Sequence, residues 1–253
     1  MSVGNRMKVE AYEFELLPLG NSAVIVRLGS GINLATHESV QALIAAVELD
    51  PFIGFVECVP SYAAVAVHYD PMLVMRSRSR EELGHETIYE TVCVRLHLHV
   101  EKGQKGSAKL RSRTVEIPVC YGGDFGPDLA FVAEYNGLAE DEVTAIHADA
   151  PYLVYMLGFA PGFPYLGGMS ERIAAPRRQS PRASIPQGSV GIAGKQTGVY
   201  SVSTPGGWQL IGRTPIVLFR PQEMIPSLLR PGDTVRFKPI TIEEYDDYIV
   251  GER

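Results

Sequence analysis

The sequence predicts an α+β chain in which a small N-terminal α/β sandwich is followed by a β-barrel domain. Glycine and proline are concentrated in residues 114–253, which hold 17 of the 25 glycines and 14 of the 18 prolines. Helical periodicity ends before Pro151, and short β-rich segments separated by glycine and proline turns follow it. That spacing is typical of a closed barrel. A chain of 253 residues also has the length of two domains.

The N-terminal α/β domain is predicted for residues 7–100 and begins with a hairpin. Its two strands, 14–17 and 23–28, are short apolar stretches joined by a Leu-Gly-Asn-Ser turn. Asn33 is a candidate helix cap, because apolar residues recur after it at helical spacing until Pro51 ends the helix. Two further strands and a second helix are predicted at 52–59, 62–69 and 81–100.

A basic linker is predicted at residues 101–112, which have little apolar content, two flexible glycines and several cations. A solvated hinge is the favoured interpretation, and contact with an acidic partner is the alternative. The barrel domain is predicted for residues 113–253. Its strands are expected at 114–119, 152–157, 190–193, 199–202, 208–211, 216–219 and 235–237, and its two short helices at 128–135 and 140–149.

Composition excludes several classes of protein. Apolar residues make up 45% and charged residues 21% of the chain, which is typical of a soluble globular protein, and no apolar run is long enough for a membrane span. The first ten residues do not resemble a secretory signal, so a cytoplasmic location is expected. Three widely spaced cysteines indicate reduced thiols without a metal site, and the net charge of −6 argues against nucleic-acid binding.

Residues 158–215 differ from the rest of the chain in both backbone and charge. They contain 11 glycines and 7 prolines in 58 positions, a composition that favours rigid loops close to a ligand. Against one acid, Glu171, they carry six cations, which gives the segment a charge of +5 on an acidic chain. Such an excess predicts an anionic ligand, a carboxylate or phosphate, and exposed arginines on barrel loops are the alternative. The six cations are Arg172, Arg177, Arg178, Arg182, Lys195 and Arg213.

Several motifs follow one another in the same part of the chain, namely His147, Gly158–Leu166, Pro176–Arg178, Pro181–Arg182, Pro186–Val190, Pro205–Trp208 and Gly212–Pro215. In residues and order they closely resemble the family called allophanate hydrolase subunit 1. That family includes the B-type subunit of bacterial ATP-dependent 5-oxoprolinases, the closest likeness, and Kip-type inhibitors of a sporulation histidine kinase. The resemblance covers essentially the whole chain, and it implies that the second domain is a cyclophilin-like β-barrel.

The resemblance implies a subunit rather than a complete enzyme. A subunit of the oxoprolinase type helps bind and activate 5-oxo-L-proline for ATP-dependent ring opening to L-glutamate, together with a C-type barrel subunit and an A-type subunit. Such a chain is expected to be inactive alone. The alternatives are a regulatory inhibitor of a sensor histidine kinase, and an accessory subunit of urea or allophanate metabolism whose ligand is a ureide.

ATP is expected to be shared with a partner subunit, because the chain lacks a complete nucleotide motif. The segment Gly191–Thr197 resembles a P-loop, but Ser189 replaces the first glycine and Gln196 stands where serine or threonine follows the lysine. The need for a divalent metal stays open.

Two residues are the predicted catalytic candidates. His147 is the best titratable group of the region, and the family motif has a histidine there, although a histidine at a helix C-terminus also stabilises the helix without further function. Arg182, like Arg178, is flanked by prolines and is a favoured anion contact. For the substrate-binding candidates, the alternative roles are packing of the aromatic rings in the barrel core and exposure of the lysine to solvent. These substrate-binding candidates are Phe163, Tyr165, Arg178, Gln187, Gly188, Lys195, Gln196, Gly207, Trp208 and Arg213.

Overall fold

The computed structural model describes residues 5–9, 12–31, 33–105 and 113–251. The chain divides into two compact units, Met1–Leu110 and Arg111–Arg253. The first is an α/β sandwich and the second contains a closed seven-stranded barrel, so the predicted α+β fold class is confirmed. No helix in the described part of the chain has the length and apolar character needed to cross a membrane.

The N-terminal unit is a five-stranded antiparallel sheet covered by helices. The strands are β1 (Asn5–Val9), β2 (Tyr12–Pro18), β3 (Ala23–Arg27), β4 (Phe55–Pro60) and β5 (Ala64–Tyr69), in the order β1-β2-β3-β5-β4. The helices are α1 (Leu34–Leu49), α2 (Pro71–Arg76) and α3 (Ile88–Lys105). Alternate strand residues such as Leu16, Val24 and Val67 are fully buried with the apolar faces of the helices, as the period of two predicts.

Helix α1 begins where its cap was predicted. The Asn33 Oδ1 atom accepts a hydrogen bond of 2.8 Å from the Thr36 amide, which satisfies one of the free donors of the first turn. Helix α3 begins later than predicted, at Ile88, because Thr87 and Glu90 form a capping box. The Thr87 hydroxyl accepts from the Glu90 amide at 3.1 Å, and the Glu90 carboxylate accepts from the Thr87 amide at 3.3 Å.

Helix α3 continues through residues 101–105, so the prediction of a linker is wrong for these residues. Gly103 is helical and faces the main chain of helix α1, where an added Cβ would lie 2.9 Å from the Ala42 carbonyl oxygen. The glycine therefore permits close packing of two helices instead of providing a hinge. The rest of the predicted linker, residues 106–112, lies outside the described residues.

The second unit is built on a closed ring of strands in the order β10-β11-β8-β7-β14-β6-β13. These strands are β6 (Thr114–Tyr121), β7 (Pro151–Leu157), β8 (Pro164–Gly167), β10 (Ser189–Ala193), β11 (Gln196–Val199), β13 (Gln209–Arg213) and β14 (Thr234–Pro239). A separate two-stranded sheet pairs β9 (Arg182–Ile185) with β12 (Thr204–Gly206), and the helices are α4 (Leu129–Asn136), α5 (Glu140–Asp149) and α6 (Ile242–Gly251).

The ring closes by one parallel pairing, in which all six residues of β14 align with residues 114–119 of β6. An ion pair of 2.6 Å between Arg113 and Asp233 lies just before these two strands. Inward side chains such as Ile117, Val154 and Ile192 fill the barrel without exposure to solvent. The interior is therefore a packed core.

Two of the predicted barrel strands are wrong. The strand predicted at 199–202 lies earlier, at Gln196–Val199, and Ser201 leaves the ring to donate a hydrogen bond to the Pro161 carbonyl at 2.6 Å. The segment 216–219 forms only an isolated bridge between Phe219 and Ser227. An apolar residue of this segment packs in the barrel core, since Leu218 is 1% exposed and belongs to that core.

A glycine-rich segment, residues 122–128, runs beside strand β13 where strand β6 has ended. The Gly122 amide donates to the Ile211 carbonyl at 3.1 Å, and the Asp128 amide donates to the Leu210 carbonyl at 2.9 Å. Gly126 lies so close to Ile211 that an added Cβ would overlap its carbonyl oxygen. The segment thus fixes Asp128 against the middle of strand β13 just before helix α4 begins.

We expect Gly126→Ala to lower the free energy of unfolding of the barrel by about 1–3 kcal/mol, because the added methyl group forces the segment away from strand β13. The matched control is Gly207→Ala, whose added Cβ would meet its nearest atom at an ordinary 3.7 Å. Denaturant unfolding followed by the fluorescence of Trp208, the single tryptophan, measures both variants. Equal stability of the two variants would contradict the prediction.

Candidate functional site

A second apolar cluster lies outside the main barrel core, and we call it the aromatic cluster. Its buried members are Phe163, Ile185, Ala193, Tyr200, Trp208 and Leu210. The Phe163 ring makes edge contacts with Tyr165, Tyr200 and Trp208 at centroid distances of 5.3, 5.5 and 5.7 Å. Gly198 makes room for these rings, since an added Cβ would lie 2.9 Å from Phe163. Three of the predicted substrate-binding residues, Phe163, Tyr165 and Trp208, therefore lie together.

Tyr200 connects the aromatic cluster to the arginines. Burial raises the pKa of its hydroxyl, and the Trp208 amide and the charges of Arg177 and Arg182 act in the opposite direction. Gly206 lies against the same hydroxyl, with no space for a side chain. The polar end of Tyr200 is thus held beside cationic side chains at the edge of the apolar cluster.

Two predicted anion contacts meet at a carboxylate that the sequence did not single out. Arg178 Nη1 donates to Asp128 Oδ1 at 3.0 Å, and Arg182 Nη2 donates to the same oxygen at 2.8 Å. The other oxygen, Oδ2, accepts a hydrogen bond of 2.7 Å from the Leu210 amide. We call Asp128, Arg178 and Arg182 the arginine–aspartate cluster. Its formal charge is +1.

Backbone contacts hold Arg182 in the small β9–β12 sheet and Arg178 just beside it. The Arg178 amide donates to the Gly207 carbonyl at 2.8 Å, and Arg182 pairs with Gly206 across the two strands. Predicted Gly207 therefore contributes its backbone to the position of Arg178. Chain segments at least fifty positions apart in sequence converge here, because Asp128 belongs to the segment before helix α4.

The arginine–aspartate cluster is not saturated with hydrogen bonds. The buried Arg178 Nε and Arg182 Nη1 atoms have no partner among the described residues. The two arginine side chains remain 36% and 23% exposed, so part of each is accessible from the surface although these two donor atoms are buried. An unpaired buried donor costs about 1–3 kcal/mol, which lowers the cost of rearranging the two side chains around an incoming acceptor.

Phe159 lies at the rim of the aromatic cluster in a strained conformation. It has a positive φ of 68°, which is unfavourable for a residue with a side chain, and its side chain is 64% exposed. Its ring contacts Phe163 and Tyr200 at centroid distances of 5.4 and 6.4 Å. The loop of residues 158–162 also borders an open depression of about 400 Å³. An exposed aromatic ring held on strained backbone is a feature of binding surfaces.

The structure places His147 inside the barrel, with no solvent exposure. Its Nε2 atom lies 2.9 Å from the Thr197 hydroxyl, which itself donates to the Gly191 carbonyl at 3.1 Å. Nε2 therefore carries the proton, and Nδ1 accepts from the Tyr121 hydroxyl at 2.8 Å. Burial lowers the pKa of His147 to about 3. Both ring nitrogens are used within the barrel, so the geometry supports a structural role, and the predicted catalytic role stays a prediction.

The remaining predicted residues have different surroundings. Lys195 pairs with Glu171 at 2.6 Å, and both side chains are about 70% exposed. The Arg213 guanidinium lies 5.7 Å from the centroid of the Phe125 ring. Gly188 has a positive φ of 81° beside Arg213, whereas Gln187 is exposed and Gln196 is half-buried. The described residues show no hydrogen bond or ion pair to the arginine–aspartate cluster from Lys195, Arg213, Gly188 or Gln187.

Sequence reasoning missed Asp128, Tyr200 and Phe159. The acid lies in a glycine-rich turn, fifty residues before Arg178, so no local motif connects the two. The glycine pattern of residues 122–126 was the available signal, because such a turn often fixes a functional side chain.

We expect the stability of the barrel to fall with decreasing pH because of His147, the single histidine in residues 113–253. The folded pKa of about 3 lies below the ordinary value of 6.5, so the stabilisation is complete above pH 6.5 and is lost as the pH falls toward 3. Between pH 7.5 and 5 the expected loss of unfolding free energy is about 2 kcal/mol. Denaturant unfolding at both pH values, for the parent and His147→Gln, measures it. Parallel pH profiles of the two proteins would contradict the assignment.

The chain is similar to known proteins over most of its length. The chain matches the family described as "Carboxyltransferase domain, subdomain C and D" over residues 14–229. It is 51% identical over 238 residues to the B-type subunit of the 5-oxoprolinase of Bacillus subtilis (strain 168), covering 93% of this chain and 96% of the relative. It is 43% identical over 221 residues to the B-type subunit of the 5-oxoprolinase of Escherichia coli O157:H7, covering 87% of this chain and 94% of the relative.

A solved structure, that of TTHA0988, superimposes with a TM-score of 0.69 at 37% sequence identity. The match covers 86% of this chain and 40% of the TTHA0988 chain, so that protein continues well beyond the shared region. The resemblance to the B-type subunit of 5-oxoprolinases that the motifs indicated is confirmed. With most of its length matched by one family, the chain belongs to the carboxyltransferase domain family, subdomains C and D.

Proposed function

We propose that this chain is a subunit of an ATP-dependent 5-oxoprolinase and helps bind and activate 5-oxo-L-proline for ring opening to L-glutamate. The observation that carries the proposal is 51% identity to a relative of that name over 93% of this chain and 96% of the relative. The overall reaction consumes the lactam, ATP and water and yields glutamate, ADP and phosphate. Such a reaction requires a site for a small carboxylate, and the arginine–aspartate cluster offers one.

In the proposed complex, the substrate carboxylate binds at Arg178 and Arg182, and its ring lies against the exposed edge of the aromatic cluster. Arginine suits this task because its planar group donates two parallel hydrogen bonds to a carboxylate. Tyr165, which is half-buried, and Phe159 are the rings at this edge. Fixing the carboxylate and the ring orients the amide oxygen for activation, which lowers the entropy cost of the reaction.

In the proposal, ATP binds to the complex of subunits. The P-loop-like segment of this chain does not have the form of a phosphate-binding loop. Residues 191–197 form parts of the antiparallel strands β10 and β11, which are joined by Gly194 and Lys195. The Thr197 hydroxyl is occupied by His147 and the Gly191 carbonyl, so it is not free to hold a metal or phosphate. Nucleotide handling is therefore expected to depend on a partner subunit. The proposal places the complex in the cytoplasm, where ATP is available.

The proposed partners are a C-type barrel subunit and an A-type subunit. Two observations support a partner. The TTHA0988 chain carries the region similar to this chain within a much longer polypeptide, since the match covers 40% of it. The exposed Phe159 ring also lies beside the proposed substrate site, where a second subunit would bury it. Inhibition of a histidine kinase and a role in urea or allophanate metabolism are the alternative functions.

The proposal is tested by ADP release when 5-oxo-L-proline is added to this chain co-purified with its partner subunits. We expect turnover that requires the chain, and Arg182→Ala is expected to raise the KM for 5-oxo-L-proline about 10-fold or more through loss of a charge-assisted hydrogen bond. The control is Arg172→Ala, an exposed cation of the same basic segment. Absence of turnover in a well-formed complex would reject the proposed substrate, and equal KM values for the two variants would reject the proposed site.

Phe159 gives a separate test of the partner surface. Phe159→Gly and Phe159→Ala both remove the ring, but only glycine adopts the positive φ without strain. We therefore expect Phe159→Gly to be more stable than Phe159→Ala by about 1 kcal/mol in the isolated chain. Both are expected to weaken binding to the C-type subunit at least about fivefold, measured by calorimetry, since each loses a buried aromatic contact. Unchanged affinity in both variants would exclude the ring from the interface.

A further inference from the structure

We propose that Asp128 is a positioning residue that makes the arginine pair selective for a singly charged carboxylate over a doubly charged phosphate. The proposal rests on the ligand position given above, and it concerns a residue that does not contact the reacting atoms. Three observations support it. The Asp128 side chain does not cap helix α4, it accepts hydrogen bonds from both arginines, and the arginine–aspartate cluster has a net charge of +1.

Asp128 occupies the N-cap position of helix α4, but its side chain makes no capping hydrogen bond. Aspartate at an N-cap normally accepts a hydrogen bond from the first turn and contributes about 1 kcal/mol. Here the carboxylate is directed to strand β13 and the arginines instead, and it is 5% exposed. The fold therefore gives up a local stabilising contact in order to place a charge between two guanidinium groups.

The two oxygens of Asp128 have different tasks. Oδ2 accepts from the Leu210 amide at 2.7 Å, which fixes the carboxylate to the barrel. Oδ1 accepts from Arg178 and Arg182 at 3.0 and 2.8 Å, which draws the two guanidinium groups together. One nitrogen of each arginine is committed to Asp128. Among the other donors, Arg178 Nε and Arg182 Nη1 are buried without a partner among the described residues, so a ligand bonds to these two only when the side chains rearrange.

The charge of the site follows from this arrangement. Two guanidinium groups and one carboxylate leave a single positive charge, which a carboxylate ligand neutralises. A phosphate dianion would leave an excess negative charge close to Asp128, and burial of this carboxylate strengthens the repulsion. Arg177 is the further cation nearby, and its side chain is exposed, so water and salt screen its charge.

A purely structural role for Asp128 predicts a different result. In that case the carboxylate stabilises the fold, and its replacement lowers affinity for every anion alike or leaves affinity unchanged. Asp128→Asn separates the two roles, because it keeps the shape and removes the charge. The amide also fails to accept from both Leu210 and the arginines at once, so some loss of stability is expected in either case.

The experiment uses the full chain and measures the dissociation constants of 5-oxo-L-proline and inorganic phosphate by ¹⁵N NMR of the arginine Nε groups. In the parent protein, we expect the Arg178 and Arg182 signals to shift and 5-oxo-L-proline to bind more tightly than phosphate. In Asp128→Asn, the ratio of the two constants is expected to change at least about fivefold in favour of phosphate. The control is Glu171→Gln, which removes a charge from an exposed ion pair. It is expected to keep the parent ratio.

If Asp128→Asn does not fold, as judged by Trp208 fluorescence, Arg178→Gln provides the test in the opposite direction. It lowers the charge of the site to zero and is expected to weaken phosphate binding more than carboxylate binding. An unchanged ratio in a folded variant, or arginine signals that respond to neither anion, overturns the proposal.

Failure of the role proposed for Asp128 is distinguishable from failure of the proposed function. Carboxylate binding with the expected change of ratio, but no turnover of 5-oxo-L-proline in the complex, rejects the oxoprolinase assignment and supports the role of Asp128. Turnover with the parent KM in Asp128→Asn, and with an unchanged ratio, rejects the role of Asp128 alone.

Discussion

The pair of hydrogen bonds between Asp128 and Leu210 is the interaction on which the candidate site depends. Strand β6 pairs with strand β13 through Gly212 and Arg213, and beyond this point the amide of Leu210 needs another acceptor. The Asp128 carboxylate supplies it at 2.7 Å, while the Asp128 amide donates back to Leu210 at 2.9 Å. A buried backbone group is thereby satisfied, and the same contact fixes the charge that organises both arginines.

The barrel separates its polar groups into two environments. In the interior, the Tyr121–His147–Thr197 chain is fully paired, and burial keeps the imidazole neutral. At the edge of the aromatic cluster, the arginine donors are only partly paired. Polar networks that are fully satisfied make a structure rigid, whereas unsatisfied ones lower the cost of exchanging partners. The proposed ligand site thus has a rigid base and an adaptable rim.

The fold and the site were predictable to different degrees from the sequence. Turn residues and apolar periodicity predicted the hairpin, the Asn33 cap and most barrel strands, because these signals are local. The prediction of a strand at 216–219 was wrong because apolar residues that pack a core need not pair in a sheet. The prediction of a linker was wrong at Gly103 because, in the sequence, a glycine that permits helix packing resembles a glycine in a hinge. In the site, charge composition identified the arginines. The contacts of Asp128 could be recognised only in the folded structure. His147 shows that a titratable residue in a motif can be wholly buried.

The parallel pairing of strands β6 and β14 has a consequence for biosynthesis. The two strands are about 120 residues apart, so the ring stays open on the ribosome until residue 239 has emerged. The sheet and helices of the N-terminal unit are complete by residue 105, and they are able to form while the barrel is still being translated. Contacts between such distant segments form slowly because a long loop must first be ordered. During that interval the unpaired barrel strands are exposed, and the cell's chaperones have their greatest opportunity to act on this half of the chain.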